Sequence, residues 1–152
     1  MSSKSILACL SLTVCLAAAP TPASAGPCAS AEDEMTLNAR VLQTELMVAA
    51  LRCNQQQRYN AFVRTFRRDI ATQGALLRAL FGRAYGRAGK REMNAYVTKL
   101  ANDASNRSLG AKSYCASAQA LWAEVQATPA NGFARLTRSA RVRGRHGFAR
   151  CR

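Results

Sequence analysis

NQQQRYNAFVRTFRRDIATQGALLRALF, residues 54–81, is the stretch that decides the fold. Tyr59, Phe62, Val63, Phe66 and Ile70 recur at steps of three and four, the spacing that lines one face of an α-helix. The stripe resumes at Leu77, Leu80 and Phe81, beyond a weak point at Gly74. Asn54 is placed to cap this helix at its start. The glycines Gly82, Gly86 and Gly89 then mark a turn.

The same period extends to both sides. Upstream, a helix is expected from near Ser30 to about Arg52. Glu32, Asp33 and Glu34 fall in its first turn, where carboxylates suit the exposed N–H groups and the helix dipole. Met35, Leu42, Leu46, Ala49 and Ala50 form its apolar face. Downstream, Met93, Tyr96, Val97, Leu100 and Ala104 define a third helix. Tyr114, Ala118, Leu121, Trp122 and Val125 define a fourth, which stops before Pro129. Alternating β-branched runs are absent, while Ala, Leu, Arg and Gln dominate. The expectation is an all-α, antiparallel four-helix-bundle-like domain over residues 26–128. Residues 129–152, with Gly132, Gly144 and Gly147 among arginines, show no period and read as an irregular basic tail.

Ahead of the bundle, residues 1–25 read as a secretory signal peptide. Lys4 supplies the positive start, Ile6 to Ala19 a short apolar run, and Ala23-Ser24-Ala25 the small residues of a cleavage site. The run is shorter than the about 20 residues a membrane span requires, and the mature chain contains no such segment. Lipidation at Cys9 or Cys15 fits poorly, because Val14 precedes Cys15 and almost no apolar segment precedes Cys9. An exported, periplasmic or extracellular protein follows. Asn106-Arg107-Ser108 would be a glycosylation acceptor only in a eukaryotic route, and the leader has a bacterial character.

Export changes the reading of the cysteines. Cys9 and Cys15 leave with the signal, and Cys28, Cys53, Cys115 and Cys151 remain for two disulfides in an oxidising compartment. A helix over residues 31–52 is about 33 Å long. It separates Cys28 from Cys53 far beyond the roughly 7 Å that bridged Cα atoms allow, which leaves two pairings open. Up-down-up-down topology favours Cys53–Cys115 with Cys28–Cys151, the first closing a loop of about 60 residues worth roughly 4 kcal/mol in the chain-entropy model. A zinc site would want C-x-x-C pairs, and a redox dithiol close cysteines; neither spacing is present.

The charge is strongly positive, with 22 Lys and Arg against 8 Asp and Glu, of which only Lys4 belongs to the leader. It is also uneven: Arg135, Arg138, Arg141, Arg143, Arg145, Arg150 and Arg152 face no acid within residues 129–152. These seven are the candidate polyanion-binding residues, suited to anionic envelope lipid, an acidic protein or, less fittingly in an exported chain, nucleic acid. Arg58, Arg64, Arg67 and Arg68 beside Phe62 and Phe66 read as the wet side of a core helix rather than a membrane-surface element.

No catalytic constellation emerges. His146, the single histidine, lies in the irregular tail, which argues against His-based acid–base pairs and H-E-x-x-H sites. The spacing Gly82-x-x-x-Gly86-x-x-Gly89 is neither a P-loop nor a dinucleotide fingerprint. Glu45, Glu92 and Glu124 read as ion-pair partners of nearby arginines. A carboxylate-dependent enzyme is the remaining catalytic reading, and nothing picks out its pair. No metal and no cofactor are expected, and the partner is unknown.

Leu42 to Cys53, Arg58 to Val63, Asn94 to Val97 and Ser113 to Cys115 resemble a family of small exported alphaproteobacterial proteins, over about residues 35–125. Some members of that family bear the label S-adenosyl-L-homocysteine hydrolase. The label implies a large NAD-dependent Rossmann enzyme, whereas this chain has no dinucleotide fingerprint and no room for two α/β domains. The resemblance brings no functional residues. It implies that Cys53 and Cys115 form a structural pair.

Overall fold

The structure, a computed structural model, describes residues 28–151; the expected signal segment 1–25 and the candidate Arg152 lie outside the described residues. Six α-helices follow one another: α1 (Ala31–Arg52), α2 (Gln56–Thr65), α3 (Arg67–Tyr85), α4 (Gly89–Gly110), α5 (Tyr114–Gln126) and the short α6 (Phe133–Thr137). The fold is all-α and four-helix-bundle-like, stapled by two disulfides. None of the described helices is long and apolar enough to cross a membrane.

A capping box starts α1 where the sequence placed its beginning. Ser30 Oγ accepts from the Asp33 N–H at 3.1 Å, and Asp33 Oδ2 accepts from the Ser30 N–H at 3.2 Å. At the other end Asn54 takes a positive φ of 54°, and the Gln55 N–H donates to Ala50 O at 2.8 Å. That is a Schellman-type closure, with Asn as the side chain that best tolerates the left-handed region after Gly. Asn54 therefore ends α1 instead of capping α2, whose N-cap Gln55 makes no side-chain cap bond.

The larger departure is how α1 is used. One apolar face was expected; in fact Leu37, Val41, Leu42, Leu46, Val48 and Ala50 are buried together with Thr36, Asn38, Thr44 and Glu45. The helix packs against α2, α3, α4, α5 and α6, so it is the axis around which the others are laid. Thr36 Oγ1 donates to Gln73 Oε1 at 2.9 Å and Glu45 pairs with arginines, whereas Asn38 Oδ1 and Thr44 Oγ1 are buried with no hydrogen-bond partner among the described residues.

The long amphipathic stripe divides at Phe66 (φ −104°, ψ 20°), not at Gly74, which lies within α3. Packing overrides propensity here. Phe66 is 1 % exposed and stands 5.4 Å from Phe62 and 5.5 Å from Phe133, ring centre to ring centre. The bend lets α2 serve the main core beside Trp122 and Leu121, while Leu77, Leu80 and Phe81 on α3 serve a second cluster with Leu37.

The turn falls at the last two of the three glycines, not at Gly82: α3 continues through Gly82 to Tyr85, a single 3-10 turn spans Gly86–Ala88 before α4 starts at Gly89, and Gly86 has φ 54°. At Gly89 a Cβ would lie 2.7 Å from Phe81 O, so only glycine lets α4 start against the end of α3.

Both disulfides pair as favoured, Cys53–Cys115 with Cα atoms 5.7 Å apart and Cys28–Cys151 with 4.9 Å. The second is reinforced by a short parallel bridge, in which the Ala29 N–H donates to Ala149 O at 2.8 Å and the Cys151 N–H to Ala29 O at 3.0 Å. The basic C-terminal segment has little regular structure besides α6, yet it is part of the interior. Phe133, Leu136 and Val142 join the main core, and Phe148 packs edge-on against Phe81 and Tyr96.

Candidate functional site

The C-terminal segment is held to the helices by carboxylates spread along the chain. Glu45, in the middle of α1 and 6 % exposed, receives Arg107 from α4 and Arg145 from the C-terminal segment, the latter at 3.3 Å. Burial of the carboxylate strengthens both contacts, and two half-exposed guanidinium groups supply the compensating charge. A small cavity of about 140 Å³ adjoins this cluster, lined by Tyr114 and Ser117. Burial and then the charge of Glu45 push the Tyr114 hydroxyl's pKa up, while Arg107 and Arg145 oppose the shift.

Two further anchors repeat the pattern. Glu34 receives Arg150 through two nitrogens, the longer contact being 3.0 Å. Glu124 on α5 accepts from Arg141 at 3.2 Å and from Ser139 Oγ at 2.6 Å. The ion-pair expectation for Glu45, Glu92 and Glu124 is thus met, with Arg91 on Glu92.

The seven candidate arginines are consequently not equivalent. Arg141, Arg145 and Arg150 are neutralised by Glu124, Glu45 and Glu34. Arg143 is exposed, with no carboxylate partner among the described residues. Arg135 and Arg138 are held only by neutral acceptors: Arg135 donates to Thr128 Oγ1 at 3.1 Å, and Arg138 to Ala134 O at 3.0 Å. Both stand over an open groove of about 690 Å³ between the end of α5 and α6, whose floor includes Ala127, Leu136 and Ala140. Thr128 also lines a second groove, of about 190 Å³, between α2 and α5, whose lining includes Phe62, Phe66, Trp122, Val125 and Arg58.

His146 is not in a loose tail. It is 5 % exposed, and its Nδ1 accepts the Phe148 N–H at 3.1 Å. Burial holds its pKa below the usual histidine value; Glu34 pulls it up and Arg150 down. It lines a cleft of about 340 Å³ with Tyr96, Phe148, Glu92 and Asp103. Glu92 and Asp103 are the one pair of carboxylates sharing a cleft among these. They lie eleven residues apart on α4, about 16 Å along the axis, beyond the roughly 5–9.5 Å of glycosidase pairs. Each is also occupied, by Arg91 and by Lys99. Among the described residues, no three His, Cys, Asp or Glu side chains converge as a metal set.

The sequence could not reveal the partners of Glu34 and Glu45, which lie 116 residues away for Glu34 and 62 and 100 residues away for Glu45. The one available signal was stoichiometric: a segment rich in Arg and free of acid must find its counter-charges elsewhere. No protein-family model, no curated protein and no solved structure matches this chain.

Proposed function

We propose that this is an exported, periplasmic or extracellular protein with no catalytic centre, which acts in the cell envelope by binding. The two disulfides carry this reading, because such bonds persist in oxidising compartments and are rare in the cytosol. The signal-like residues 1–25 agree with it, as does the resemblance to small exported proteins. The non-catalytic part is supported by the acids themselves. Glu45, Glu124, Glu34, Asp33, Glu92 and Asp103 are all engaged by cations, which suits anchoring better than proton transfer.

Cell fractionation with N-terminal sequencing tests it. The protein is expected outside the cytoplasm, beginning at Gly26, with all four remaining cysteines oxidised. A cytoplasmic protein retaining residues 1–25 with free thiols would sink the reading.

The runner-up, a binder of polyanions through the C-terminal arginines, is favoured by Arg135, Arg138 and Arg143, which carry no carboxylate partner among the described residues. It requires binding to DNA or anionic vesicles that falls steeply with salt and is lost when those three become Gln. Deleting residues 135–152 is the poorer test, since it also removes Val142 and the partner of Cys28.

A further inference from the structure

The groove between α5 and α6 combines features that point to one class of ligand. Its floor of Ala127, Leu136 and Ala140 is apolar. Its edge carries two guanidinium groups, Arg135 and Arg138, fixed in place by hydrogen bonds to neutral oxygens that leave their charge uncompensated. Glu124, the one acid lining it, is already taken by Arg141 and Ser139. We propose that this groove binds a single-chain anionic amphiphile, its alkyl chain on the apolar floor and its acidic head on Arg135 and Arg138.

Size and continuity agree with that occupant. At about 690 Å³ the groove falls within the roughly 300–1,000 Å³ range of small-molecule sites. Thr128 lines both this groove and the second, so a chain too long for the first would extend past it toward Val125 and Trp122. Two held cations above an apolar floor suit one head and one tail. A linear polyanion would leave the floor exposed, and a bare phosphate would leave it empty. The proposal rests on the reading of the chain as a binding protein, and it extends that reading by naming a ligand class.

Calorimetric titration of the disulfide-bonded protein, followed in parallel by the fluorescence of its single tryptophan, provides the test. The probes are dodecanoate, lauroyl-lysophosphatidylglycerol, dodecanol and inorganic phosphate. Both anionic amphiphiles are expected to bind below their micelle concentrations, and binding of just one supports the proposal and identifies the head. Affinity should rise with alkyl length by up to about fourfold per methylene. The double variant Arg135→Gln/Arg138→Gln should bind dodecanoate at least about tenfold more weakly while leaving dodecanol unchanged. Ala127→Phe, a substitution at an exposed position, should weaken every amphiphile. Three outcomes overturn the proposal: no binding of either anionic amphiphile below its micelle concentration, phosphate binding as tightly as dodecanoate, or amphiphile binding indifferent to these variants. None of the three bears on export, which the fractionation decides separately.

Discussion

Two arginine-rich stretches of this molecule have similar composition and opposite chemistry. On α2 and α3, Arg64, Arg67, Arg68 and Arg78 are exposed, with no carboxylate partner among the described residues. In the C-terminal segment, Arg145 and Arg150 reach carboxylates 100 and 116 residues away and Arg141 one 17 residues back, and so tie a segment with little regular structure to α1 and α5. The first group surrounds a helix that packs through its own apolar stripe. The second belongs to a segment without such a stripe, where long-range ion pairs and isolated apolar anchors take over its role. Charge density in a sequence therefore says little about which charges remain available to a partner.

That contrast can be broken at its strongest point first. Removing the Cys28–Cys151 bridge as the double Ser variant frees a closure of 123 residues, and the chain-entropy model gives a loss of about 5 kcal/mol. Urea unfolding monitored at Trp122 measures it. A loss below about 1 kcal/mol would mean that ion pairs and apolar anchors suffice for the segment.

Next in size is Glu45→Ala. It is expected to cost about 1–2 kcal/mol, because Ala takes the buried charge away and the two arginines left behind are half exposed to water. Thermal unfolding of this variant beside Arg68→Gln sharpens the comparison, since the latter should change stability by no more than about 0.5 kcal/mol.

Acidification probes the same segment through His146. Its pKa is lowered in the fold, so the unfolded chain binds the proton more readily, and stability must rise with pH in this range. The contribution is complete above the ordinary value of 6.5 and is lost as the pH falls below it toward the folded value. The melting temperature of the wild type should therefore drop more than that of His146→Gln as the pH falls below 6.5. Equal profiles would remove His146 from the account.

Among the ion pairs of the C-terminal segment the smallest effect is expected at Arg141→Gln, about 0–1 kcal/mol, because both Arg141 and Glu124 are well exposed. A larger loss would show that this pair holds the segment more firmly than its exposure implies.

Much of the helical framework was legible. The three- and four-residue spacing of Tyr59, Phe62, Phe66 and Ile70 reflects a face that has to be buried, and the Ser30–Asp33 cap is a local bond between near neighbours. Helix length alone kept Cys28 from Cys53. What stayed hidden depended on the third dimension. The break at Phe66 exists because Phe133 waits across the core, and nothing local announces it. The all-round burial of α1 follows from the placing of five other helices, which turns Thr36 and Glu45 into interior residues. The groove beneath Arg135 and Arg138 was illegible for a similar reason: the seven arginines look alike until the positions of Glu34, Glu45 and Glu124 are known.

The closure of Ala29 against Arg150 has a mechanical consequence. Cys28 and Cys151 sit 4.9 Å apart across a covalent bond, so tension applied between these two positions is carried by sulfur and never reaches the helices. Pulled from outside that bond, the molecule behaves as a closed ring whose core is bypassed. Reduction converts it into an open chain in which the same tension falls first on the Ala29 bridge, peeling the C-terminal segment and its arginines away from α1.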